Sequence, residues 1–541
     1  MPRRCAVRSM GQRSATCYAR VSFRKTHRLS ALFVLVLALS GCASLPDNTN
    51  RTESFALADT QDTYLGRAVS GRSATEHGDD GFILLESGLD AFVARAALAN
   101  RAERSLDVQY YLYHQDLVGR LFTGFLVLAA DRGVRVRILV DDMDMNGRDA
   151  SLAALEAHPN IEIRLFNPFG RNVSRIPQFV TGFGSLTRRM HNKSFTADNQ
   201  ITILGGRNIG NEYFDADPTL EFADLDVLAV GSVVKDVSTS FDQYWNSPLA
   251  YPVQTLIEKR HTEEDLQAKY DALTTFMEEQ RTSDYMNALR NSSLAEAIRD
   301  DEVQYFVGDA VVVADDPEKI ANSRDANELH LMTQLAPYFQ DLTTELVIVS
   351  PYFVPGDEGV EFFKRLIDQG VRVRILTNSL SSNDVGIVHA GYAKYRKSLL
   401  RAGVELYEMN KKLTRAQRHE KKGVGASSKA SLHAKTFVLD REYVFIGSLN
   451  LDPRSFYENT EIGLVLDQPM LARKMAEGFD ADIDRHTFRL ELKTDNDGIE
   501  RLLWHGFEDG EPVTFDVDPY TSVWRRLGIV FMRLLPIESQ L

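Results

Sequence analysis

The sequence predicts an α/β protein assembled from two related halves, each a mixed β-sheet flanked by helices. Three observations carry that expectation. Asp131-Arg-Gly-Val-Arg-Val-Arg-Ile-Leu139 recurs as Asp368-Gln-Gly-Val-Arg-Val-Arg-Ile-Leu376, 237 positions later. His191-Asn-Lys-Ser-Phe-Thr-Ala-Asp198 with Gly205-Gly-Arg-Asn208 recurs as His433-Ala-Lys-Thr-Phe-Val-Leu-Asp440 with Gly447-Ser-Leu-Asn450, at an offset of 242. Two matches in the same order at nearly one offset point to a tandem duplication. Within each copy, short apolar runs alternate with helical patterns, as in a sheet covered by helices.

The elements follow in chain order. Arg3, Arg4, Arg8, Arg13, Arg20, Arg24, Lys25 and Arg28 precede an apolar run from Ala31 to Leu39. That run is shorter than the ~20 residues of a bilayer span, so residues 1–41 read as a secretory signal, with translation starting at Met1 or Met10. It closes on Leu39-Ser-Gly-Cys42, which resembles a bacterial lipobox. The resemblance implies acylation of Cys42 and, with Ala43 next, a lipoprotein of the bacterial outer membrane facing the periplasm. All three cysteines (Cys5, Cys17, Cys42) fall in this segment, so stability is expected from core burial rather than disulfides. Residues 42–85, rich in Ser, Thr and Asp, are expected to form a polar tether.

Residues 86–250 form the first copy: strands over Ser105–Tyr113 and Val134–Val140, a helix near Leu117–Ala130 between them, and a short strand over Ile161–Leu165. Residues 331–490 form the second: Glu345–Ser350, a helix over Gly359–Gln369, then Val371–Leu376 and Val404–Tyr407. Between them, 251–330 is expected to be a helical linking insert, in which Thr262-Glu-Glu-Asp265 starts a helix with Leu266, Tyr270, Leu273 and Met277 on one face. Residues 491–541 are a C-terminal extension. With 541 residues, 44% hydrophobic and 26% charged, the composition excludes a disordered chain. The net charge of −14 becomes −22 without residues 1–41, and so acidic a body repels polyanions at long range.

The repeated stretch holds the chemistry. On a strand, residues two apart share a face, so His191 with Lys193, and His433 with Lys435, are expected to present an imidazole beside an ammonium. That pair suits a phosphate: lysine neutralises a non-bridging oxygen, and an imidazole with a pKa of about 6.5 attacks or transfers protons at neutral pH. Asp198 and Asp440 stand seven positions after their histidines, an odd offset that points away from the shared face, so both are assigned to the turn. Gly205 with Gly206, and Gly447 with Ser448, allow close backbone approach and are expected to turn amide donors toward an anion. Asn208 and Asn450 follow their histidines by seventeen positions, where an amide donates to phosphate oxygens without a repelling charge. No His-x3-His pair or acidic cluster adjoins the motif, so neither a metal nor another cofactor is expected.

His-x-Lys-x4-Asp-x6-Gly-Gly/Ser-x-Asn, present twice, resembles the signature of the phospholipase D superfamily, over roughly residues 86–490. The resemblance implies two halves packed about a pseudo-twofold axis, an α-β-α sandwich with both motifs at one central site. It further implies that one histidine attacks phosphorus to form a covalent phosphohistidine, while the other protonates the leaving alcohol and then activates the acceptor. By the family pattern His191 is the nucleophile and His433 the acid and base, an assignment that pseudo-symmetry leaves reversible. Lys193, Lys435, Asn208 and Asn450 would hold the phosphoryl oxygens. Each histidine is expected to need a carboxylate that fixes its tautomer. Glu461, in Asn459-Thr-Glu-Ile462, fits the family's position after the second motif; Asp224, with Asp226 as the alternative, is the choice in the first copy.

Asn450-Leu-Asp-Pro-Arg-Ser-Phe456 with Asn459-Thr-Glu461, and Gly206-Arg-Asn-Ile-Gly-Asn-Glu-Tyr213, resemble stretches of bacterial cardiolipin synthases. The Leu535-Pro-Ile-Glu538 ending and the leader suggest their cardiolipin synthase C-like branch. This implies a phosphatidyltransferase acting on glycerophospholipids such as phosphatidylglycerol and phosphatidylethanolamine, held at the membrane by its lipid anchor. A hydrolytic phospholipase D, a nuclease of the same superfamily and an inactive scaffold binding anionic lipid are the alternatives; the acidic body argues against nucleic acid. Two further segments stand out. The basic stretch Lys411–Lys422 either steers anionic headgroups or is a solvated loop. Trp524-Arg-Arg-Leu-Gly-Ile-Val-Phe-Met-Arg-Leu-Leu535 either lies at a membrane interface or docks as a terminal helix.

Overall fold

The computed structural model describes residues 45–70, 79–171, 174, 175, 178, 184–217, 221–257, 262–412, 430–508 and 510–534. Residues 1–41, expected to be a secretory signal, Cys42, most of the basic stretch before the second motif and the Leu535–Glu538 ending lie outside them.

The first half contains β1 (Asp80–Leu85), β2 (Ser105–Tyr110), β3 (Arg135–Asp141), β4 (Ile161–Phe166), β5 (Ser194–Ala197), β6 (Ile201–Gly205), β7 (Glu221–Ala223), β8 (Asp226–Val230) and β9 (Ala250–Pro252). The second contains β10 (Phe306–Ala314), β11 (Glu345–Val349), β12 (Arg372–Thr377), β13 (Glu405–Met409), β14 (Ala430–Leu432), β15 (Thr436–Leu439), β16 (Tyr443–Gly447), β17 (Ile462–Asp467), β18 (Thr487–Thr494), β19 (Glu500–Glu508) and β20 (Glu511–Phe515). Pairing gives the order β1-β8-β6-β5-β2-β3-β4-β9 in the first half and β10-β17-β16-β15-β11-β12-β13-β18 in the second. In both, only the three strands joined by helical crossovers are parallel, β2-β3-β4 and β11-β12-β13. The duplication is thus visible strand for strand.

Burial explains why the central strands are apolar on both faces. Along β15, Phe437 and Leu439 enter the second half's own core, whereas Val438 enters a core shared by the two sheets. Along β6, Ile203 faces the first half's helices and Leu204 faces the shared core. That shared core also takes Phe82, Val227, Val347, Ile446 and Leu464, so strands of both halves pack together around the pseudo-twofold axis.

Three boundary expectations need correction. Residues 45–70 lie on the first half rather than forming a free tether. Asn48 donates to Pro248 O at 2.9 Å, Arg137 donates to Ser54 O at 2.9 Å, and helix Tyr64–Ser70 buries Leu65 and Val69. The polar composition that suggested solvation instead supplies partners for buried arginines and backbone carbonyls. The insert 251–330 is helical over Glu263–Gln280, Asp284–Arg290 and Ser293–Asp300, with the Thr262 capping box in place, but it also contains β10. Strand β10 is the counterpart of β1: its first residues pair with β1 and its remainder with β17, linking the halves. The predicted boundary at residue 490 falls within β18, which with β19 and β20 extends the second sheet. No helix among the described residues is long and apolar enough to cross a membrane.

Candidate active site

Two short parallel pairings assemble the site, and both cross between halves. Met190 bridges to Thr460, and Leu432 pairs with Ala223. Each pairing is one residue before a motif histidine on one strand and one residue before a carboxylate on the other. His191 therefore meets Glu461, with Nδ1 2.8 Å from Oε2, and His433 meets Asp224, with Nδ1 2.5 Å from Oδ2. Backbone bonds repeat the symmetry: His191 N donates to Thr460 O at 2.8 Å and His433 N to Ala223 O at 2.7 Å. In each ring the carboxylate occupies Nδ1, and His433 Nε2 lies 3.2 Å from Lys435 Nζ. Asp226 does other work: its buried carboxylate accepts from Arg95 at 2.7 Å and from Arg207 N at 3.2 Å. Of Asp224 and Asp226 it is Asp224 that contacts a motif histidine, and both carboxylate–histidine contacts run across the copies.

The histidines and lysines stand just before β5 and β15 rather than on them. Lys435 Nζ still lies 3.0 Å from His433 Nδ1, and Lys193 Nζ donates to His191 O at 2.5 Å. Asp198 and Asp440 sit at the following turns with φ of 50° and 52°. Each caps the start of a neighbouring strand, Asp198 through the amides of Glu103, Arg104 and Ser105, Asp440 through those of Thr343, Thr344 and Glu345. The small residues act differently from expectation. The amides of Gly206, Gly447 and Ser448 are spent on Leu225 O, Lys435 O and Ile462 O, not turned toward an anion. A Cβ at Gly206 would lie 2.2 Å from Asp224 Oδ1, so glycine is needed for the carboxylate's approach. Ser448 Oγ donates to Glu461 Oε2 at 2.5 Å. Asn208 accepts from Leu112 N at 3.1 Å and donates to Tyr213 Oη at 3.0 Å, which leaves one amide hydrogen; Asn450 is buried with Oδ1 unpartnered.

A family described as "Cardiolipin synthase, PLD-like domain" matches residues 96–245 and 338–483, one block per half. The chain belongs to the phospholipase D superfamily. Cardiolipin synthase C of Escherichia coli (strain K12) is 39% identical over 474 residues, 88% of this chain and 99% of that protein. A cardiolipin synthase of Oceanobacillus iheyensis is 21% identical over 410 residues, 76% of this chain and 70% of that protein. The crystal structure of a phosphatidylserine synthase from Haemophilus influenzae Rd KW20 superposes with a TM-score of 0.51 at 14% identity, over 76% of this chain and 87% of that one, a likeness of fold.

In this phospholipase D-superfamily enzyme, sequence reasoning missed the aromatic walls. Tyr111 packs edge-on against His191 at 5.0 Å between centroids, and Tyr213 and Phe222 pack on His433 at 5.2 and 5.1 Å. Their signal is position: Tyr111 directly follows β2, at the carboxyl end of a parallel strand where such sheets place their sites. It also missed Asp141 and Asp315. The first accepts from Arg189 at 2.8 Å and from Met190 N at 3.0 Å, holding the segment before His191; the second accepts from Glu461 N at 2.8 Å.

Burial dominates the electrostatics of the two superfamily motifs. Burial, then the charges of Lys193 and Lys435, push the His191 imidazole well below its ordinary pKa, so it is neutral at pH 7. Burial and Lys435 also lower His433, but Asp224 opposes them. Burial alone would raise Asp224; contact with His433, then Lys435 and Arg207, outweighs it and keeps this carboxyl ionised. Burial raises Glu461 to about 7, against the pull of Lys193. No group of three or more His, Cys, Asp or Glu suited to a metal ion occurs among the described residues.

Desolvation lowers Lys435 from 10.5 to about 8. Above pH 8 its ammonium is lost, so kcat/KM is expected to fall along an alkaline limb. Lys435→Arg, which keeps its charge, moves that limb upward; a wild-type profile flat to pH 10 contradicts the assignment. Between about 8 and 10.5 the unfolded chain holds the proton that the folded enzyme has lost. Stability from this group therefore rises with pH across that window and is lost as pH falls through 8, opposite to activity.

Proposed function

We propose that the enzyme is a glycerophospholipid phosphatidyltransferase, a cardiolipin synthase that works through a covalent phosphohistidine on His191. The observation that carries this reading is the pair of crossed carboxylate–histidine contacts, which leaves two Nε2 atoms beside two buried ammonium groups. The names of the relatives support a phospholipid substrate. In the first step the His191 Nε2 lone pair attacks phosphorus, the bond from phosphorus to the alcohol oxygen breaks, and His433 gives its Nε2 proton to that oxygen. In the second, the acceptor hydroxyl returns a proton to His433, its oxygen attacks phosphorus, and the P–N bond breaks. Lys193, Lys435 and the amides of Asn208 and Asn450 neutralise the phosphoryl oxygens through both transition states.

The asymmetry of the pairs favours these roles. A nucleophile must be neutral, and burial with Lys193 and Lys435 lowers the His191 imidazole. An acid must carry a proton, and the ionised Asp224 on His433 Nδ1 works against the burial that lowers this ring. An apolar cavity of about 390 Å³ supports the lipid reading; Ile138, Val140, Leu152, Leu155 and Ile163 line it, with Leu273 of the insert helix as its outer wall. The same loop serves both places: Tyr111 touches His191 while Tyr113 and His114 line the cavity, and three extended residues span roughly 10 Å. A phospholipid with phosphorus at His191 reaches that cavity with one acyl chain. Ala154→Phe, which narrows it, is expected to raise KM for dioleoyl phosphatidylglycerol roughly tenfold, the effect of excluding about two methylenes. Equal effects on a dibutyroyl analogue contradict the acyl site. The reading includes a lipid anchor at Cys42 and a periplasm-facing envelope location.

The deciding experiment incubates the purified enzyme with labelled phosphatidylglycerol or phosphatidylethanolamine and an alcohol acceptor, without added metal. A new phosphatidyl ester is the expected product. Phosphatidic acid as sole product makes it a hydrolase, and DNA cleavage without lipid turnover overturns the substrate.

A further inference from the structure

The C-terminal helix, Val523–Met532, is docked by a narrow inner edge and bare elsewhere. Ile529 and Met532 pack on Leu380 and Ala390 of the second half. The outer stripe is Val523, Trp524, Leu527, Val530, Phe531 and Leu534, with exposures from 52% for Leu527 to 82% for Trp524. Their spacing of i, i+1, i+4, i+7, i+8 and i+11 puts them on one face of a helix. Of the seventeen exposed large apolar side chains among the described residues, nine lie between Ile499 and Leu534, so this is a concentrated patch and not scattered surface leucines.

The charge around the patch selects its occupant. The chain has 76 acidic against 62 basic residues, yet 520–534 contains Arg525, Arg526 and Arg533 and no acid. Beside the helix, a cleft of about 440 Å³ is lined by Arg501, Arg526 and Arg533, by Asp516 and Asp518, the latter paired with Arg396 at 2.9 Å, and by Ile499, Val517 and Val530, so basic side chains outnumber acidic ones there. Arginines at the rim of an apolar stripe match a surface that is anionic outside and hydrocarbon beneath. The helix is also tied to the catalytic framework. Arg525 donates to Asn383 O at 3.1 Å, and in the same loop Asn378 accepts from Leu432 N at 3.0 Å, the residue before His433.

We propose that this helix and cleft form a non-catalytic docking site for anionic phospholipid in a bilayer. The stripe enters the headgroup–acyl boundary, about 5–10 Å deep as for interfacial helices, and the arginines take lipid phosphates. Docking here holds the Asn378–Asn383 loop, and through it Leu432, near the membrane surface. The inference stands apart from the catalytic chemistry, since lipid docking needs no turnover.

The protein supplies its own reporter. Of three tryptophans, Trp245 and Trp504 are buried and Trp524 is 82% exposed. Full-length protein is mixed with vesicles whose phosphatidylglycerol has brominated acyl chains. Quenching of the exposed emission component is expected, with its loss in Trp524→Phe and in a Leu527→Asp, Phe531→Asp variant that still turns over a short-chain substrate. Arg526→Gln with Arg533→Gln should reduce quenching to the level in brominated phosphatidylcholine, and inorganic phosphate should not compete. Trp524 emission unaffected by brominated lipid overturns the proposal, whether aqueous acrylamide still reaches the ring or a second copy of the chain shields it.

Discussion

His191→Ala and His433→Ala are each expected to lower phosphatidyl transfer by at least about 10⁴-fold while leaving Tm within a few degrees of wild type. Both rings sit where the two halves meet, each held by a carboxylate of the other half and flanked by aromatic side chains. The two losses differ in kind. With a phosphatidyl ester of p-nitrophenol, whose oxyanion leaves without a proton, His433→Ala should recover the first step and accumulate label on His191. His191→Ala should recover nothing. If His191→Ala is the variant rescued by the activated ester, the two roles are exchanged; if neither variant loses activity, the histidines do not carry the reaction.

Asp224→Asn and Asp226→Asn should separate catalysis from stability two residues apart. Asp224 accepts from His433 Nδ1, and an asparagine there can present its amide to Nδ1 and favour the wrong tautomer. Loss of a tautomer-fixing carboxylate costs ~10⁴ in turnover in the serine-protease case, and a comparable drop with little change in Tm is expected here. Asp226 instead neutralises the fully buried Arg95. Its removal leaves an unpaired interior charge and is expected to cost about 3–5 kcal/mol of stability. Glu461→Gln should have a smaller effect at pH 6 than at pH 8, because burial raises that carboxyl to about 7 and it is already mostly protonated at the lower pH. Parallel melting curves and steady-state rates check all three variants; an Asp226→Asn protein that melts normally but is inactive contradicts the division.

The duplication was legible because the motif is chemical as well as structural: histidine, lysine, aspartate and asparagine recur at fixed spacing, whatever the apolar residues between them do. The parallel strands β2, β3 and β4 and their counterparts were legible too, since strand-length segments with apolar residues at alternate positions are separated by helical patterns. What escaped was the first strand of each half. Strand β1 follows a Ser/Thr/Asp-rich stretch and opens on Asp80-Gly81, and β10, which alternates half-buried and exposed positions, falls within the span expected to be a helical insert. The crossing of carboxylates escaped for a different reason. Spacing along the chain places Asp224 after the first motif and Glu461 after the second, and only the bridges Met190 to Thr460 and Leu432 to Ala223 reveal that each serves the other half. The glycines were recognised as sites of close approach, but the approaching atom is a carboxylate oxygen and not a phosphate.

A structure of the enzyme with vanadate, which mimics pentavalent phosphorus, tests the central claim most directly. The account predicts one vanadium bonded to His191 Nε2, with His433 Nε2 on the opposite side within about 2.6–3.2 Å of the apical oxygen, and Lys193 and Lys435 on the equatorial oxygens. Vanadate held by one half alone, with the other imidazole out of reach, would contradict it.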